Sequence, residues 1–389
     1  MTHINLPQPG GGSTGLTLRP RSTVHDLAGL GAPTSRMVYA AAHVVVDPMA
    51  DTGPAAGTTI DWDATLHYRR YLWDLGLGVA DGMDTAQRGG GLSWSQAKEL
   101  VTRSGAEARA VGGALTFGAA TDQLDCTLTW SLDELADAYL EEVTVIDDSG
   151  ATPVLMCSRQ LADAAKGSDD YLHVYDRVLS QTTTPVLLHW LGEAFDPLLA
   201  GYWGDPDLDI ATGTVLDVMR LHPGKVSGIK VSLLDPDREI DLRRRLPEGV
   251  RMYTGDDFNY DVLIRGDDQG HSHALLGVFD AIAAPARAAL AKLDKGDAEG
   301  FSEILSPTVP LARHLFEAPT SAYKTGVVFL AWLNGHQQHF HMLGGAESLR
   351  SVPHLVALFR LADEAGALCD PDLAVQRMRN WLVIAGFEA

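Results

Sequence analysis

Val226-Ser227-Gly228-Ile229-Lys230-Val231-Ser232-Leu233-Leu234 is an apolar strand pattern with a single lysine at its centre. Side chains alternate along a strand, so Gly228, Lys230 and Ser232 share one face while Ile229, Val231 and Leu233 share the other. The apolar face suits packing against helices, which leaves the amine looking into a cavity where Gly228 gives it room. Lysine is rarely buried, because desolvation penalises the ammonium form. Lowering its pKa from ~10.4 by about three units corresponds to roughly 4 kcal/mol of destabilised charge, and it delivers a nucleophilic free amine near neutrality. The competing reading is an ammonium that snorkels from a strand end to solvent. The local pattern balances the two evenly.

Outward from this strand the same rhythm repeats. Met37 to Val46, Gly78 to Gly82, Ala108 to Phe117, Pro153 to Cys157, Pro185 to His189, Val226 to Leu233, Val250 to Thr254 and Gly270 to Leu276 read as strands. Between them lie helical patterns at Asp61 to Leu75, Ser93 to Ser104, Ser131 to Val145 and Asp170 to Gln181. Ser93 reads as an N-cap, and Ser131 with Glu134 as a capping box. Eight strands alternating with helices predict an α/β protein whose parallel sheet closes into a (β/α)8 TIM barrel over residues 37–281. Residues 1–36 read as a tail in which Ile4 to Pro7 and Leu16 to Leu18 flank a turn-rich centre, a pattern that fits a short hairpin. Residues 282–389 show helical segments with no strand between them, and predict a C-terminal helical extension used for packing or subunit contact.

Composition narrows the function classes. A chain of 389 residues that is 46% hydrophobic and only 7% aromatic has the make-up of an ordinary globular protein. Its net charge of -21 opposes binding to nucleic acid, anionic membrane or heavily phosphorylated metabolites, and suits a neutral polyol or carbonyl substrate. Three widely spaced cysteines, Cys126, Cys157 and Cys369, form no CxxC pair and point to a reducing cytoplasm. No apolar run approaches about 18 residues and no signal-like leader opens the sequence, so a cytosolic protein without membrane spans is expected.

In a barrel of this kind, functional groups collect where strands end in loops on the C-terminal face. Asp84 and Thr85, Cys157 and Arg159, His189 and Glu193, Lys230 and Ser232, Asp256 and Asp257, and His271 and His273 are read at such positions. The order of motifs resembles the class I aldolase superfamily of dihydrodipicolinate synthase and N-acetylneuraminate lyase. Gly228-Ile229-Lys230 matches the segment that carries the family's Schiff-base lysine. Gly255-Asp256-Asp257 looks like its Gly-Asp-Asp turn, and Gly270 to Leu276 with Pro285 looks like its eighth strand and following helix. The similarity covers roughly residues 37–300. The departures matter as much: Met83-Asp84-Thr85-Ala86-Gln87 stands where members carry Gly-Thr-Thr-Gly-Glu, and His189-Trp190-Leu191-Gly192 replaces Tyr-Asn-x-Pro. His189 therefore stands in the place of the proton-relaying tyrosine. Glu193 follows where the synthases place a carboxylate-recognising arginine, which puts a pyruvate-derived substrate in doubt.

The resemblance implies a Schiff-base aldolase, lyase or dehydratase with no cofactor, assembled as a homo-oligomer, while an acidic site without an evident phosphate clamp favours an unphosphorylated keto-sugar or related polyhydroxylated carbonyl compound as substrate. Lys230 would attack the carbonyl, His189 would serve as acid/base because an imidazole titrates near ~6.5, and Thr85 would relay a proton or bind the carbonyl oxygen. Asp84, Gln87, Trp190, Glu193, Ser232, Asp256, His271 and His273 are the candidate substrate contacts. Gly89-Gly90-Gly91 lacks the strand, lysine and helix order of a phosphate-binding loop. A second reading stays open: Asp84, His189, Glu193, His271 and His273 offer the nitrogen and oxygen donors of a divalent-metal-dependent sugar isomerase or epimerase, with Lys230 polarising a carbonyl. His336, His339 and His341 lie in the helical extension and read as a polar loop. A third reading, a catalytically dead sugar-binding module, is opposed by the stability cost of a buried lysine.

Overall fold

The computed structural model describes residues 2–20, 27, 29–50 and 59–387. They fall into two compact units. The first comprises residues 1–35, 43–77 and 277–389, and the second residues 36–42 and 78–276.

In the first unit, β1 (His3–Pro7) and β2 (Ser13–Thr17) pair as an antiparallel hairpin, with Ile4 opposite Leu16 and Leu6 opposite Thr14. Helix α1 (Trp62–Asp74) starts on Asp61, whose carboxylate accepts from the Ala64 amide, and it buries Thr65, Tyr68, Arg69 and Leu72 at the i, i+3, i+4 and i+7 positions of one face.

The second unit holds a closed eight-stranded parallel barrel. Its strands are β3 (Val38–Ala41), β4 (Gly78–Asp81), β5 (Leu115–Ala119), β6 (Thr152–Leu155), β7 (Val186–Leu191), β8 (Val226–Ser232), β9 (Arg251–Thr254) and β10 (His273–Leu276), in that spatial order. β10 returns to β3 with Leu275 paired to Tyr39, which closes the ring. Tyr39, Ala41, Ala80, Val154, Leu187, Tyr253 and Leu275 pack together as a buried cluster beneath Met83, so the barrel interior is a filled core.

The intervening helices are α2 (Trp94–Val111), α3 (Leu132–Ser149), α4 (Arg159–Ala164), α5 (Ser168–Gln181), α6 (Leu208–Leu221), α7 (Pro236–Arg245) and α8 (Tyr260–Arg265). Capping boxes open α2 through Ser93 and Gln96 and α3 through Ser131 and Glu134, each side chain reaching the other's backbone amide. The strand expected from Ala108 begins only at Leu115. Helix α2 runs on through Val111, because its buried stripe continues to Ala108 and it stops where Gly112 takes the left-handed conformation at φ 69°.

The rest of the first unit is helical: α9 (Val278–Ala281), α10 (Ala283–Leu293), α11 (Ala298–Leu305), α12 (Val309–Leu315), α13 (Tyr323–Leu333), α14 (Val352–Glu364) and α15 (Pro371–Ile384). Among them α13 is apolar on nearly every side and forms the centre of that unit. No helix among the described residues is long and apolar enough to cross a membrane.

Candidate active site

Lys230 is the fifth residue of β8 and is held on both sides by the sheet: it pairs with His189 on β7 and with Tyr253 on β9. Parallel partners in register point the same way, so the lysine joins Leu187 and Tyr253 on the interior face of the barrel. Its side chain is buried. Among the described residues Nζ has no hydrogen-bond or ion-pair partner. Burial pushes its pKa below the usual lysine value. The negative charges of Asp257 and Asp84, and after them Cys157, pull in the other direction.

Room for the amine comes from a glycine other than the expected one. A Cβ at Gly228 would meet Cε2 of the Tyr253 ring at 2.7 Å and the carbonyl oxygen of Arg251 at 2.9 Å, so Gly228 makes space for that ring. Gly255, just past β9, is the residue beside the lysine: a Cβ there would lie 2.6 Å from Lys230 Cε and would also collide with Ser232 Oγ.

His189 is buried two residues above Leu187 on the same strand face. Its Nε2 lies 3.3 Å from Ser232 Oγ, and its Nδ1 is buried with no partner. Burial, reinforced by the charge of Lys230, drives its pKa well below the ordinary histidine value. Both effects favour the neutral imidazole over the imidazolium. Cys157 donates its thiol to the His189 carbonyl oxygen at 3.1 Å, and burial raises its pKa to about 12.

A cavity of about 270 Å³ opens at the C-terminal ends of β4 to β7. It is lined by Asp84, Thr121, Cys157, Ser158, Gln160 and His189, together with two arginines. Both guanidinium groups are already engaged. Arg88 forks onto Asp122 at 2.7 Å through two nitrogens and meets Glu142 at 2.6 Å, and Arg159 pairs with Asp196 at 2.5 Å. Burial raises the Glu142 carboxyl to about 7 against the opposing pull of Arg88. Thr121 Oγ1 and Ser158 Oγ share a hydrogen bond of 2.6 Å, and Thr121 also reaches Gln160 at 2.9 Å.

The other expected site residues divide. Ser232 joins His189. Thr85 is buried in a 3-10 turn formed by Asp84–Ala86, and Gln87, at φ 63°, donates its side-chain amide to the Gly90 carbonyl at 3.3 Å. Asp256 structures its own turn, accepting from the amides of Phe258 at 2.8 Å and Asn259 at 3.0 Å. Trp190 alternates away from His189 and meets the Trp203 ring edge-on at 6.4 Å, so it leaves the barrel interior and is not part of the lining of the cavity that His189 enters. Glu193 is exposed in the turn after β7. His271 and His273 lie at the opposite end of the barrel: His273 is the first residue of β10, and its Nδ1 accepts from the Met37 amide just before β3 at 3.0 Å. These two histidines therefore cannot join Asp84, His189 and Glu193 around one ion. His336 is taken up by ring contacts with Tyr68 and Tyr71, at 5.0 and 4.4 Å.

The Arg88–Asp122–Glu142 cluster and the Thr121–Ser158–Gln160 set were missed in the sequence. Glu142 did carry a signal, since it falls on the buried stripe of α3 with Leu135, Tyr139 and Ile146. A carboxylate on such a stripe calls for a buried cation.

A family model described as "Protein of unknown function (DUF993)" matches residues 4–387. No curated protein matches. Among solved structures, the chain is similar to the 4-hydroxy-tetrahydrodipicolinate synthase from Methylacidiphilum fumariolicum SolV at 14% identity and a TM-score of 0.65, over 89% of this chain and 98% of that one. It is also similar to a putative dihydrodipicolinate synthetase from Pseudomonas aeruginosa, with 16% identity and a TM-score of 0.64 over 85% and 99%. The dihydrodipicolinate synthase from Thermotoga maritima gives 15% identity and a TM-score of 0.63 over 86% and 99%. The chain thus has the barrel fold of the dihydrodipicolinate synthases.

Proposed function

The chain belongs to the family described as "Protein of unknown function (DUF993)", and from that premise we propose that it is a class I, Schiff-base-forming lyase of the aldolase type acting through Lys230. One observation carries the reading: an amine without a partner, desolvated and fixed by strand pairing inside a parallel barrel, beside a neutral histidine. The unprotonated amine adds to a substrate carbonyl, and loss of water leaves an iminium that accepts the electron pair of an adjacent bond. His189 Nε2 and Ser232 Oγ lie on the same face and shuttle the proton. Asp84 and Asp257 supply the negative charge that offsets the iminium.

The cavity, which is lined by His189 and Asp84 but not by Lys230 itself, favours an uncharged, hydroxyl-rich carbonyl substrate such as an unphosphorylated keto-sugar. Both arginines that line it are committed to carboxylates, while Thr121, Ser158 and Gln160 offer neutral hydrogen-bonding groups. Borohydride reduction in the presence of a panel of keto-sugars and 2-keto acids, followed by peptide mass analysis, tests the proposal. A stable adduct on Lys230 with a neutral sugar is the expected result. A substrate that turns over with no Lys230 adduct, and whose turnover a chelator abolishes, would overturn it.

A further inference from the structure

Helices α12 and α14 bring together two histidines and a carboxylate that no step of the proposed chemistry uses. His314 is in the last turn of α12, Glu317 lies two residues beyond it, and His354 is in the first turn of α14. One ligand atom from each lies within 4.8 Å of the others, a grouping found nowhere else among the described residues. His354 Nδ1 is 2.8 Å from Glu317 Oε1, His314 Nδ1 is 3.4 Å from Glu317 Oε2, and the two rings stack with centroids 4.0 Å apart.

The hydrogen bonding sets the protons. His314 Nε2 sits 2.9 Å from the carbonyl oxygen of His354, which can only accept, so Nε2 carries the hydrogen. His314 Nδ1 faces a carboxylate oxygen across 3.4 Å, a gap that an ion can occupy with both atoms as ligands. A backbone carbonyl that fixes the opposite ring nitrogen is the usual support of a metal-bound histidine. His354 Nδ1 donates to Glu317 Oε1 and Nε2 is buried with no partner, so an ion at Nδ1 would replace that hydrogen and leave the ring's remaining hydrogen on Nε2. Arg350 donates to the carbonyl oxygens of Leu315 at 3.1 Å and Glu317 at 2.6 Å, which fixes the backbone that carries the carboxylate.

We propose that His314, Glu317 and His354 form a binding site for a borderline divalent transition ion, Zn²⁺ in particular, with its fourth position open to water. Tetrahedral zinc with bonds of about 2.0–2.2 Å separates its ligand atoms by about 3.3 Å, close to the His314–Glu317 spacing; the His354–Glu317 pair opens by about half an ångström. Two imidazoles and one carboxylate select zinc, nickel or copper over magnesium or calcium. Glu317 is half-exposed, which gives the ion a way in. The positive charge of Arg350 acts on Glu317 and opposes the cation.

The test uses the full chain without a purification tag, stripped with a chelator, dialysed and then equilibrated with Zn²⁺. Elemental analysis is expected to show one zinc per chain, and the melting temperature is expected to rise with Zn²⁺ but not with Mg²⁺. His314→Asn and His354→Gln lose the stoichiometric zinc and the thermal shift, and Glu317→Gln weakens binding by more than about tenfold. A His339→Gln/His341→Gln double variant keeps both and controls for surface histidines. Absence of zinc from the wild-type chain, or equal uptake by wild type and Glu317→Gln, a half-exposed substitution that spares the packing, overturns the proposal.

Discussion

A methyl group on Gly255 would lie 2.6 Å from Cε of Lys230, so the residue just past β9 and the lysine on neighbouring β8 compete for a volume that holds only the lysine side chain. Gly255→Ala forces the amine and Ser232 Oγ to shift together. Such overpacking typically costs about 1–3 kcal/mol. The expected outcome is a lowered urea midpoint together with a larger loss of borohydride-trapped Lys230 adduct than that destabilisation explains. Unchanged trapping in the alanine variant would show that the amine does not depend on this space.

Replacing Lys230 by methionine removes an unpartnered buried amine and keeps much of the side-chain volume. Turnover and adduct formation should vanish while the chain becomes more stable by about 1–3 kcal/mol, the range for an unsatisfied buried polar group. The pH dependence adds a second readout. Because burial depresses the folded pKa of Lys230, the unfolded chain binds more protons between that value and about 10.5, and wild-type stability rises with pH across this window. The advantage of Lys230→Met over wild type should therefore shrink as pH rises, as measured by urea denaturation from pH 6 to 10.

Glu239, buried in α7, accepts the Ser272 hydroxyl at 2.6 Å, and burial raises its carboxyl to about 8. A raised carboxylate pKa means that the folded chain holds the extra proton. Its contribution is complete below about 4.5 and is lost as pH climbs through about 8. Glu239→Gln keeps the neutral acceptor and should flatten this decline, which amounts to a few kcal/mol on the order set by the shift. Parallel pH–stability curves for the two chains would refute the assignment.

Cys157 lines the cavity, yet burial holds its thiol near 12, and its hydrogen goes to the His189 carbonyl. Iodoacetamide at pH 8 should modify exposed Cys126 and leave Cys157 untouched in the native chain, as read by peptide mass analysis. Labelling of Cys157 at a comparable rate would mean that the thiol is not held this way.

Much of the barrel was legible because its strands obey a local rule. The run from Val226 to Ser232 alternates small or polar with apolar residues, and Ser93 and Ser131 announce their helices three residues ahead of Gln96 and Glu134. What escaped was long-range. Reading the eighth strand from Gly270 and grouping His271 and His273 around it with the C-terminal rim residues overlooks that His273 opens the strand rather than ending it. Trp190 followed His189 into the candidate set although one step along a strand reverses the face. Arg88, Asp122 and Glu142 come from three separate segments, and only the closed ring makes them neighbours. The glycine beside the lysine belongs to the adjacent strand, so nothing within the Gly228-Ile229-Lys230 segment identifies it.

Strand β8 is bonded along its length to β7 and β9, whereas Thr121, Ser158, Gln160 and Asp196 sit in the connections beyond the strand ends. The proposed nucleophile is thus anchored by the framework and the proposed recognition groups by replaceable segments. On that proposal, exchanging those connections would retune which molecule is accepted while the lysine nitrogen stays where the ladder puts it, so specificity and reactivity could diverge independently.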